Sequence, residues 1–444
     1  AGIDQSRQAT RSSLQKINGL WELQGSLIRL ALYFSPAVMQ ASLELIPEQT
    51  RRVFLAYSGG LDSSVLLHLL LGSKSTFAII PWHINHGLIA EADAMEAFCV
   101  QQANDYGLEL RLDRLELGKL QSNLEAEARE HRYRLFSEAM TPGDCLLTAH
   151  HGDDQAETFL LNALRGSGSA GLRGIAVKRN LGEGILVRPL LDYSRAQLQT
   201  YADEQQLSWF DDPSNQSDRY ERNFLRNKII PDLERRWPQL RQSLVVASEL
   251  QAQAQELLDE LAQIDLAEAT APDNQGIATL HLPVLLKLTP SRCKNLIRYW
   301  IARQKLTALP RRRLQELLKQ LSAREDALPQ VATPEYSIRI YDQRLFLVIE
   351  RNELELPCRV DFATQTKIEV DDLGLYWQRD AIFELLHCED NGQQLSLKFR
   401  SEPQLESDDK HRLKRLFQKH RVPPWQRNTT AQVYLDEKLE GILP

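Results

Sequence analysis

Short apolar segments alternate with helical segments between residues 51 and 206. The apolar segments have the length and composition of strands, and the connections between strands and helices are short. This alternation predicts an α/β fold with a parallel sheet covered on both faces, because parallel strands need a crossover helix between them. Ligands of such sheets bind at the carboxyl ends of the strands. We therefore expect functional residues in the segments that directly follow the strands.

The pattern changes along the rest of the chain, whose 444 residues correspond to about three domains. A long helical stretch without strands begins after Pro231, and a basic helix with short strands occupies the C-terminal part. The predicted parts are an N-terminal extension of unknown role at residues 1–50, a parallel-sheet α/β domain at 51–231, a helical linker and middle substrate-binding domain at 232–350, and a small α+β C-terminal domain at 351–444.

The composition excludes several classes of protein. With 43% apolar and 25% charged residues, the chain is neither a disordered nor a fibrous protein. Its net charge of −7 argues against a protein that coats nucleic acid through bulk charge, although a local basic surface remains compatible with it. Five cysteines without a CxxC pair argue against a zinc or redox site and favour the cytoplasm. The most apolar N-terminal run, 27–34, is far shorter than the ~20 residues of a membrane span, so we expect no membrane partner.

A glycine-rich loop with the sequence SGGLDS lies at residues 58–63, between the first predicted strand and its helix. Two glycines allow the backbone to approach a ligand closely, and the helix N-terminus behind them attracts an anion. Asp62 suits a metal ligand or a helix cap better than a contact to bare phosphate. The alternative interpretation is a Gly-Gly turn before a capped helix.

Three carboxylates open the helix that follows the strand at 145–148. They are Asp153, Asp154 and Glu157. Carboxylates gathered at the carboxyl end of a strand can hold a cation, either Mg²⁺ or an ammonium group. The alternative is a group of acids that stabilises the helix N-terminus through the helix dipole.

Arginines occur at two further places with the spacing of a shared helix face. Arg222 and Arg226 are four residues apart beside an acidic turn, so they can contact phosphate or ribose, or equally tie their helix to the sheet. Arg129 and Arg132 are three residues apart on a charged helix and can contact phosphates, but the spacing of Arg129 from Glu125 favours a solvated face with helical ion pairs.

The segment 410–427 contains seven Lys or Arg, two His and no acid. A basic run is usually a solvated surface, yet the complete absence of acids in an acidic chain favours contacts to RNA phosphates. The predicted contacts are Lys410, Arg412, Lys414, Arg415, Lys419 and Arg421. The segment also carries the aromatic residues Phe417 and Trp425.

The loop resembles the PP-loop of the N-type ATP pyrophosphatases, and the motifs together resemble the tRNA(Ile)-lysidine synthetase family. These motifs are SGGLDS, HINHGL, NLEAEARxxRY, HxxDQxET, RGSGxxGL and DxSNxxxxxxRNxLR, in that order. The resemblance covers residues 51–350 well and leaves the first 45 residues outside the pattern. The loop motif alone is common to the whole superfamily, whereas the combination is specific.

The resemblance implies an ATP-dependent ligation of free lysine to C2 of the wobble cytidine of a CAU-anticodon isoleucine tRNA. The reaction passes through an adenylated cytidine and changes codon reading from AUG to AUA. The implied ATP-binding residues are Ser58, Gly59, Gly60, Leu61, Asp62 and Ser63, with Mg²⁺ on Asp62. Asp153, Asp154 and Glu157 are the implied lysine-binding or catalytic residues, with Asp154 and Glu157 favoured.

Other functions stay open at this point. A related tRNA thiolase is disfavoured because it would use a CxxC cluster, and a glutamine-dependent amidotransferase because no glutaminase domain is recognisable. A non-catalytic, nucleotide-gated RNA-binding protein would keep the loop and the basic segment but would need no lysine site. A homodimer is neither indicated nor excluded by the sequence.

Overall fold

The computed structural model describes most of the chain. The described residues are 36–73, 76–87, 91–115, 124–213, 217–218, 220–272, 278–322, 329–349, 359–362, 367–370, 375–386, 394–399 and 407–443. The chain divides into two compact units, Ala1–Gln255 and Glu256–Pro444. Residues 1–35 of the N-terminal extension lie outside the described residues. In the part of the chain that the structure describes, no helix is long and apolar enough to cross a membrane.

The first unit contains a six-stranded sheet in the order β3-β2-β1-β4-β6-β5. Its strands are β1 (Arg52–Ala56), β2 (Ala78–Asn85), β3 (Arg111–Arg114), β4 (Asp144–Leu147), β5 (Lys178–Leu181) and β6 (Gly184–Val187). Its helices are α1 (Pro36–Ala41), α2 (Leu61–Leu71), α3 (Ala92–Asp105), α4 (Leu124–Ala139), α5 (Gly152–Leu164), α6 (Ser169–Leu172), α7 (Arg195–Glu204), α8 (Glu221–Phe224) and α9 (Ile230–Glu234). A π-helical turn, Leu225–Ile229, joins α8 to α9.

Five strands of this sheet are parallel, as the alternation predicts, and β5 pairs antiparallel with β6 at the edge. The sequence does not predict β5. Three of its four residues, 178–180, are polar and exposed, so the strand has no apolar pattern of its own. Its conformation follows from the hydrogen bonds to β6, which is a tertiary effect that local propensity does not report.

The sheet buries apolar side chains on both faces, because successive side chains of a strand point to opposite sides. Val53 and Leu55 of β1 pack in one core cluster with α2 and α7. Phe54 points to the other face, where its ring lies 5.5 Å from Trp82. Both faces of the central strand are therefore covered, which leaves the ends of the strands as the place for a ligand to approach.

The second unit follows within the long helix α10 (Leu240–Ala269), inside which the division between the units falls. A five-stranded sheet in the order β7-β8-β11-β10-β9 and a four-stranded sheet in the order β12-β15-β16-β17 form its centre. The strands are β7 (Thr270–Pro272), β8 (Ala278–His281), β9 (Gln330–Ala332), β10 (Tyr336–Tyr341), β11 (Arg344–Ile349), β12 (Arg359–Asp361), β13 (Lys367–Val370), β14 (Leu375–Gln378), β15 (Leu395–Lys398), β16 (Ala431–Leu435) and β17 (Lys438–Leu443). The helices are α11 (Leu282–Lys287), α12 (Pro290–Arg303), α13 (Arg311–Gln320), α14 (Arg379–Leu386) and α15 (Ser407–Lys419).

Two features of this unit follow from the local sequence. Residues 282–320 lie in three helices, because Thr289 caps a new helix that begins at Pro290. Residues 336–349 form the hairpin β10–β11. Its turn residues Asp342 and Gln343 have φ values of 45° and 58°, as a tight hairpin turn requires.

Candidate functional site

The loop after β1 is held in a fixed shape before α2 begins. Gly59 has φ of +78°, and a Cβ atom there would lie 2.8 Å from the Cys99 sulfur, so this position requires glycine. The Ser63 hydroxyl donates to the Gly60 carbonyl at 3.0 Å, and Phe210 donates its amide to the Gly59 carbonyl at 2.8 Å. No side chain among the described residues caps α2. The amides of its first turn therefore face a position where an anion can bind.

Asp62 lies in the first turn of α2 and forms an ion pair with Arg195 of α7. One guanidinium nitrogen, Nη1, donates to both carboxylate oxygens, at 3.0 and 2.8 Å. Burial raises the pKa of Asp62 above its usual value, and the nearby His151 and Arg195 side chains oppose that shift. A further cation beside Asp62 would stabilise the ionised form of this partly buried carboxylate.

The residues around the loop fit Mg²⁺ as a single-carboxylate site. Among the described residues no group of three or more His, Cys, Asp or Glu side chains is arranged as a metal cage. Mg²⁺ usually needs only one or two carboxylates when the phosphates of a substrate supply further oxygens. Each Asp62 oxygen accepts one hydrogen bond from Arg195 and keeps a lone pair, so Asp62 would hold the ion.

The three predicted carboxylates are brought together with three arginines. We call this group the carboxylate–arginine cluster; it consists of Asp153, Asp154, Glu157, Arg222, Arg226 and Arg241. Glu157 is fully buried and accepts from Arg222 at 2.7 Å and from Arg226 at 2.6 Å. Asp154 accepts from the same two arginines at 2.8 and 3.2 Å. The carboxylates expected to bind ammonium therefore pair with the arginines expected to bind phosphate. The positions of these residues in the sequence did not predict this pairing.

The other members complete the balance of charge. Asp153 accepts from Arg241 at 2.8 Å. Burial would raise the pKa of Asp154, but the imidazole of His151 and the guanidinium group of Arg222 lower it well below its usual range. Asp154 therefore stays ionised, and the cluster holds three carboxylates against three guanidinium groups.

His151 joins the loop to this cluster. Its Nε2 atom lies 3.7 Å from the Asp62 carboxylate and 3.6 Å from the Asp154 carboxylate. The imidazole is almost completely buried. The two predicted sites, the anion-binding loop and the carboxylates after β4, therefore form one continuous surface of charged groups.

A second group of arginines lies at the carboxyl end of β6, and the sequence analysis named only one of its members. We call it the arginine–tyrosine cluster; it consists of Arg129, Tyr133, Arg179 and Arg188. The guanidinium carbons of Arg129 and Arg179 lie 5.4 and 4.8 Å from the centre of the Tyr133 ring. Arg188 directly follows β6, is only 4% exposed, and donates through Nη1 to the carbonyl of Ala176. One signal for it was present, since it is a lone charge inside the apolar segment 185–191.

His150 lies within electrostatic reach of both clusters. Burial lowers its pKa to about 3, and the nearby charges of Asp154, Arg188 and Arg129 act on it as well. The hydroxyl of Thr148 is 2.8 Å from Nδ1. The imidazole is therefore neutral near pH 7 and adds charge to neither cluster.

The basic segment of the second unit forms α15 and the turn after it. Most of the predicted contacts are exposed; these are Lys410, Lys414, Arg415, Lys419 and Arg421. Arg412 is half-buried and pairs with Glu440 at 2.8 Å. Phe417 is buried, and Trp425 packs against Phe346 with ring centres 5.4 Å apart. The charges thus face solvent, whereas the aromatic residues hold the helix in place.

Comparison with known proteins assigns these parts. Three family models match in succession: a PP-loop domain at residues 35–233, a TilS substrate binding domain at 280–346, and a TilS substrate C-terminal domain at 395–441. The first match contains the loop and most of both clusters, so the expected PP-loop fold is confirmed and supports ATP binding. The last match contains α15.

Curated relatives are similar over most of the chain. The tRNA(Ile)-lysidine synthase of Serratia proteamaculans is 36% identical over 409 residues, which are 88% of this chain and 91% of that protein. The enzyme of the same name from Alkalilimnicola ehrlichii is 38% identical, over 87% and 88% of the two chains. That of Pseudomonas fluorescens is 44% identical over 262 residues, 58% of this chain and 59% of that protein. The chain therefore belongs to the tRNA(Ile)-lysidine synthase family.

Proposed function

We propose that the protein attaches free lysine to C2 of the wobble cytidine of an isoleucine tRNA with a CAU anticodon, in the cytoplasm. The expected intermediate is a cytidine adenylated by ATP, and the product changes codon reading from AUG to AUA. Membership of the family makes the chain an ATP-binding, tRNA-modifying ligase that forms a carbon–nitrogen bond. The proposal adds the amino acid, the intermediate and the residues that act on them.

The observation that carries the proposal is the continuity between the loop and the carboxylate–arginine cluster through His151. Lysine carries one carboxylate and two ammonium groups, so it needs both kinds of charge at its binding site. In the cluster, the carboxylate of lysine can bind Arg222 and its side-chain ammonium can bind Asp154, so lysine replaces the contact between these two residues. Three carboxylates beside the loop would repel a phosphate, so a site that bound phosphate alone would be weakened by them.

The first chemical step forms a bond between O2 of the cytidine and the α-phosphorus of ATP, and pyrophosphate leaves. The first-turn amides of α2 and the hydroxyls of Ser58 and Ser63 bind the leaving pyrophosphate. Arg226 adds positive charge to the same region. When Mg²⁺ is held by Asp62, it supplies further positive charge that neutralises the pyrophosphate.

The second step forms a bond between the ε-nitrogen of lysine and C2 and breaks the bond between C2 and the adenylated oxygen, which leaves with AMP. The ε-ammonium loses its proton to water as the bond forms. A carboxylate whose pKa is depressed is a weak proton acceptor, so Asp154 orients the ammonium and does not take the proton. Glu157, which is fully buried, holds Arg222 and Arg226 in position. Asp153 fixes Arg241 in the same way.

Recognition of the tRNA body falls to α15 in this proposal. Its exposed Lys414 and Arg415 have no acidic neighbour within the basic segment and can contact RNA phosphates. Arg129 is proposed to contact phosphate nearer the target nucleotide. The C-terminal unit thus supplies affinity, and the PP-loop unit supplies the chemistry.

The decisive experiment measures transfer of radiolabelled lysine to a CAU-anticodon isoleucine tRNA transcript with ATP and Mg²⁺ present. We expect ATP-dependent incorporation with the native protein. Asp62→Ala should reduce lysine incorporation on the order of 100-fold while tRNA binding stays intact, because the loop loses the carboxylate that would hold Mg²⁺. Asp203→Ala, an exposed aspartate of α7, is the matched control and should be fully active. A folded protein that binds the tRNA but incorporates no lysine would overturn the proposal.

The role of α15 needs its own variant. Lys414→Glu combined with Arg415→Glu should raise the KM for tRNA and leave the single-turnover rate of bound tRNA nearly unchanged. Unchanged tRNA affinity in that double variant would contradict the assignment of α15.

A further inference from the structure

The arginine–tyrosine cluster is assembled from three separate elements at one point of the sheet edge. Arg129 and Tyr133 lie one turn apart on α4, Arg179 lies on β5 opposite Leu186 of β6, and Arg188 directly follows β6. Alternation along the strands places Arg179 and Arg188 on the face of the sheet that α4 covers. Strand β5, which the sequence does not predict, therefore brings the third guanidinium group to the cluster.

The charge of this cluster is not balanced. Among the side chains that the structure describes, no carboxylate forms a salt bridge with Arg179 or Arg188. Arg188 is 4% exposed, and its Nε atom has no hydrogen-bond partner in the part of the chain that the structure describes. A buried cation without an anionic partner is costly to keep, so its presence calls for an explanation other than stability.

The titration of neighbouring groups reflects the same excess of positive charge. Burial lowers the pKa of Arg188, and the nearby guanidinium groups of Arg179 and Arg129 lower it further. Burial would raise the pKa of Tyr133, yet Arg129 and Arg188 bring it below its usual value. Both shifts would be relieved by one anion bound among the three arginines.

The chemistry of the cluster favours a phosphate group. Planar guanidinium forks match the geometry of phosphate oxygens, and two of the three, those of Arg129 and Arg179, are exposed to solvent. Strand β4 separates β6 from β1, so the cluster lies about two strand spacings, or roughly 10 Å, from the loop after β1. It would therefore meet a phosphate other than the pyrophosphate on the loop.

We propose that Arg129, Arg179 and Arg188, grouped around Tyr133, form a subsite that binds a backbone phosphate of the RNA substrate beside the target nucleotide. The inference rests on the proposed function for the identity of the RNA. A polymeric substrate carries phosphates on both sides of the reacting nucleotide, and one held here fixes that nucleotide against the loop. Arg179 and Arg188 are thus substrate-binding residues in addition to those expected from the sequence.

The test compares two neighbouring charges on β5. Arg179→Gln removes an exposed cation of the cluster, whereas Lys178→Gln removes an equal charge one residue away on the opposite face of the strand. Filter binding of the CAU-anticodon tRNA across a series of salt concentrations should show affinity weakened about tenfold for Arg179→Gln and unchanged for Lys178→Gln. The salt dependence should fall by ~0.7 in log–log slope for Arg179→Gln, as the loss of one contact to a single-stranded phosphate predicts.

A second measurement identifies the source of the phosphate. Titration calorimetry with ATP alone should give the same Kd for Arg179→Gln and the native protein. Weaker ATP binding with unchanged tRNA binding would assign the subsite to the nucleotide and overturn the inference. Equal loss of tRNA affinity in Lys178→Gln would also overturn it, because it would show a diffuse effect of charge.

Arg188→Lys examines the buried member without removing its charge. A lysine lacks the fork geometry, so we expect tRNA affinity to fall several-fold while the melting temperature stays near that of the native protein. Unchanged affinity in a folded Arg188→Lys variant would contradict a direct contact by Arg188. These binding measurements are independent of lysine incorporation, so a failure of the proposed ligation and a failure of the subsite can be told apart.

Discussion

Two groups of arginines lie at the same edge of the PP-loop sheet and differ in the charges around them. In the carboxylate–arginine cluster, fully buried Glu157 contacts both Arg222 and Arg226. In the arginine–tyrosine cluster, nearly buried Arg188 contacts a backbone carbonyl and Tyr133, with no salt bridge to a carboxylate among the described residues. The charges of the first group balance within the cluster, whereas the second group contains three guanidinium groups and no carboxylate.

The difference separates two kinds of binding site: one whose charges are already paired, and one with an excess of positive charge. A balanced buried cluster is rigid, because moving any member leaves a charge without a partner. A lysine that enters it must bring charges of both signs, which restricts what can bind. An unbalanced cluster accepts any suitably placed phosphate, which suits a backbone that carries no sequence information. Selectivity for the amino acid and tolerance toward the RNA backbone thus have different physical origins.

The largest effect is expected from breaking the balanced cluster. Glu157→Gln removes a fully buried charge that two half-buried guanidinium groups share, and it should lower the free energy of unfolding by about 3–5 kcal/mol. Urea denaturation followed by circular dichroism measures this change. Glu221→Gln is the matched control, because Glu221 pairs with Arg165 at the surface and its loss should cost less than about 1 kcal/mol. Equal effects in the two variants would contradict the comparison.

Acid should weaken the same cluster. The pKa of Asp154 in the folded protein lies below its unfolded value of ~3.9. Its contribution to stability is therefore complete above that unfolded value and is lost as the pH falls toward the folded pKa. We expect Asp154→Asn to flatten the dependence of unfolding free energy on pH between about pH 5 and pH 2 relative to the native protein. A slope that the substitution leaves unchanged would show that Asp154 is not coupled to its arginines.

The unbalanced cluster should respond in the opposite sense. Arg188→Met replaces a buried cation that has no carboxylate partner with an apolar side chain of similar length, so stability should stay within about 1 kcal/mol of native or rise. Arg226→Met is the matched comparison and should lose about 3–5 kcal/mol, because Glu157 and Asp154 lose a partner. Thermal melts and urea titrations of both variants measure the contrast. A loss of several kcal/mol in Arg188→Met would place that residue in a structural role.

Much of this site could be predicted from the sequence. The loop at 58–63 follows from two glycines between a strand and a helix, since such short-range patterns are local. The carboxylates after β4 were found for the same reason, because the residues after a parallel strand lie at its carboxyl end. Their pairing with Arg222 and Arg226 was left open, because contacts between residues about seventy positions apart depend on the tertiary fold.

The arginine–tyrosine cluster shows what local patterns miss. Arg179 belongs to a strand without an apolar pattern, so neither its conformation nor its neighbours could be inferred. Arg188 was visible as a single charge in an apolar segment, but a lone buried arginine in sequence does not show whether an acid lies beside it. For α15 the charge pattern gave the exposed face, whereas the packing of Trp425 on Phe346 joins segments far apart in the chain.

The smallest expected effect is spectroscopic and concerns Tyr133. Its pKa in the folded protein is below the ordinary value, because the charges of Arg129 and Arg188 outweigh the effect of burial. The tyrosinate form should therefore appear at lower pH than that of Tyr201, whose pKa burial raises. Arg129→Gln should move the Tyr133 transition upward and leave that of Tyr201 in place, as ultraviolet absorbance or NMR titration can show.

The same titration connects the two properties of the cluster. A phosphate bound among the arginines adds negative charge beside Tyr133, so a short RNA carrying the anticodon loop should raise the Tyr133 pKa. Because the folded-state pKa is depressed, the tyrosinate contributes stability above the unfolded pKa of ~10, and RNA binding should weaken as the pH rises through the folded pKa. If neither Arg129→Gln nor bound RNA changes the pKa of Tyr133, the cluster does not concentrate positive charge and does not bind a phosphate.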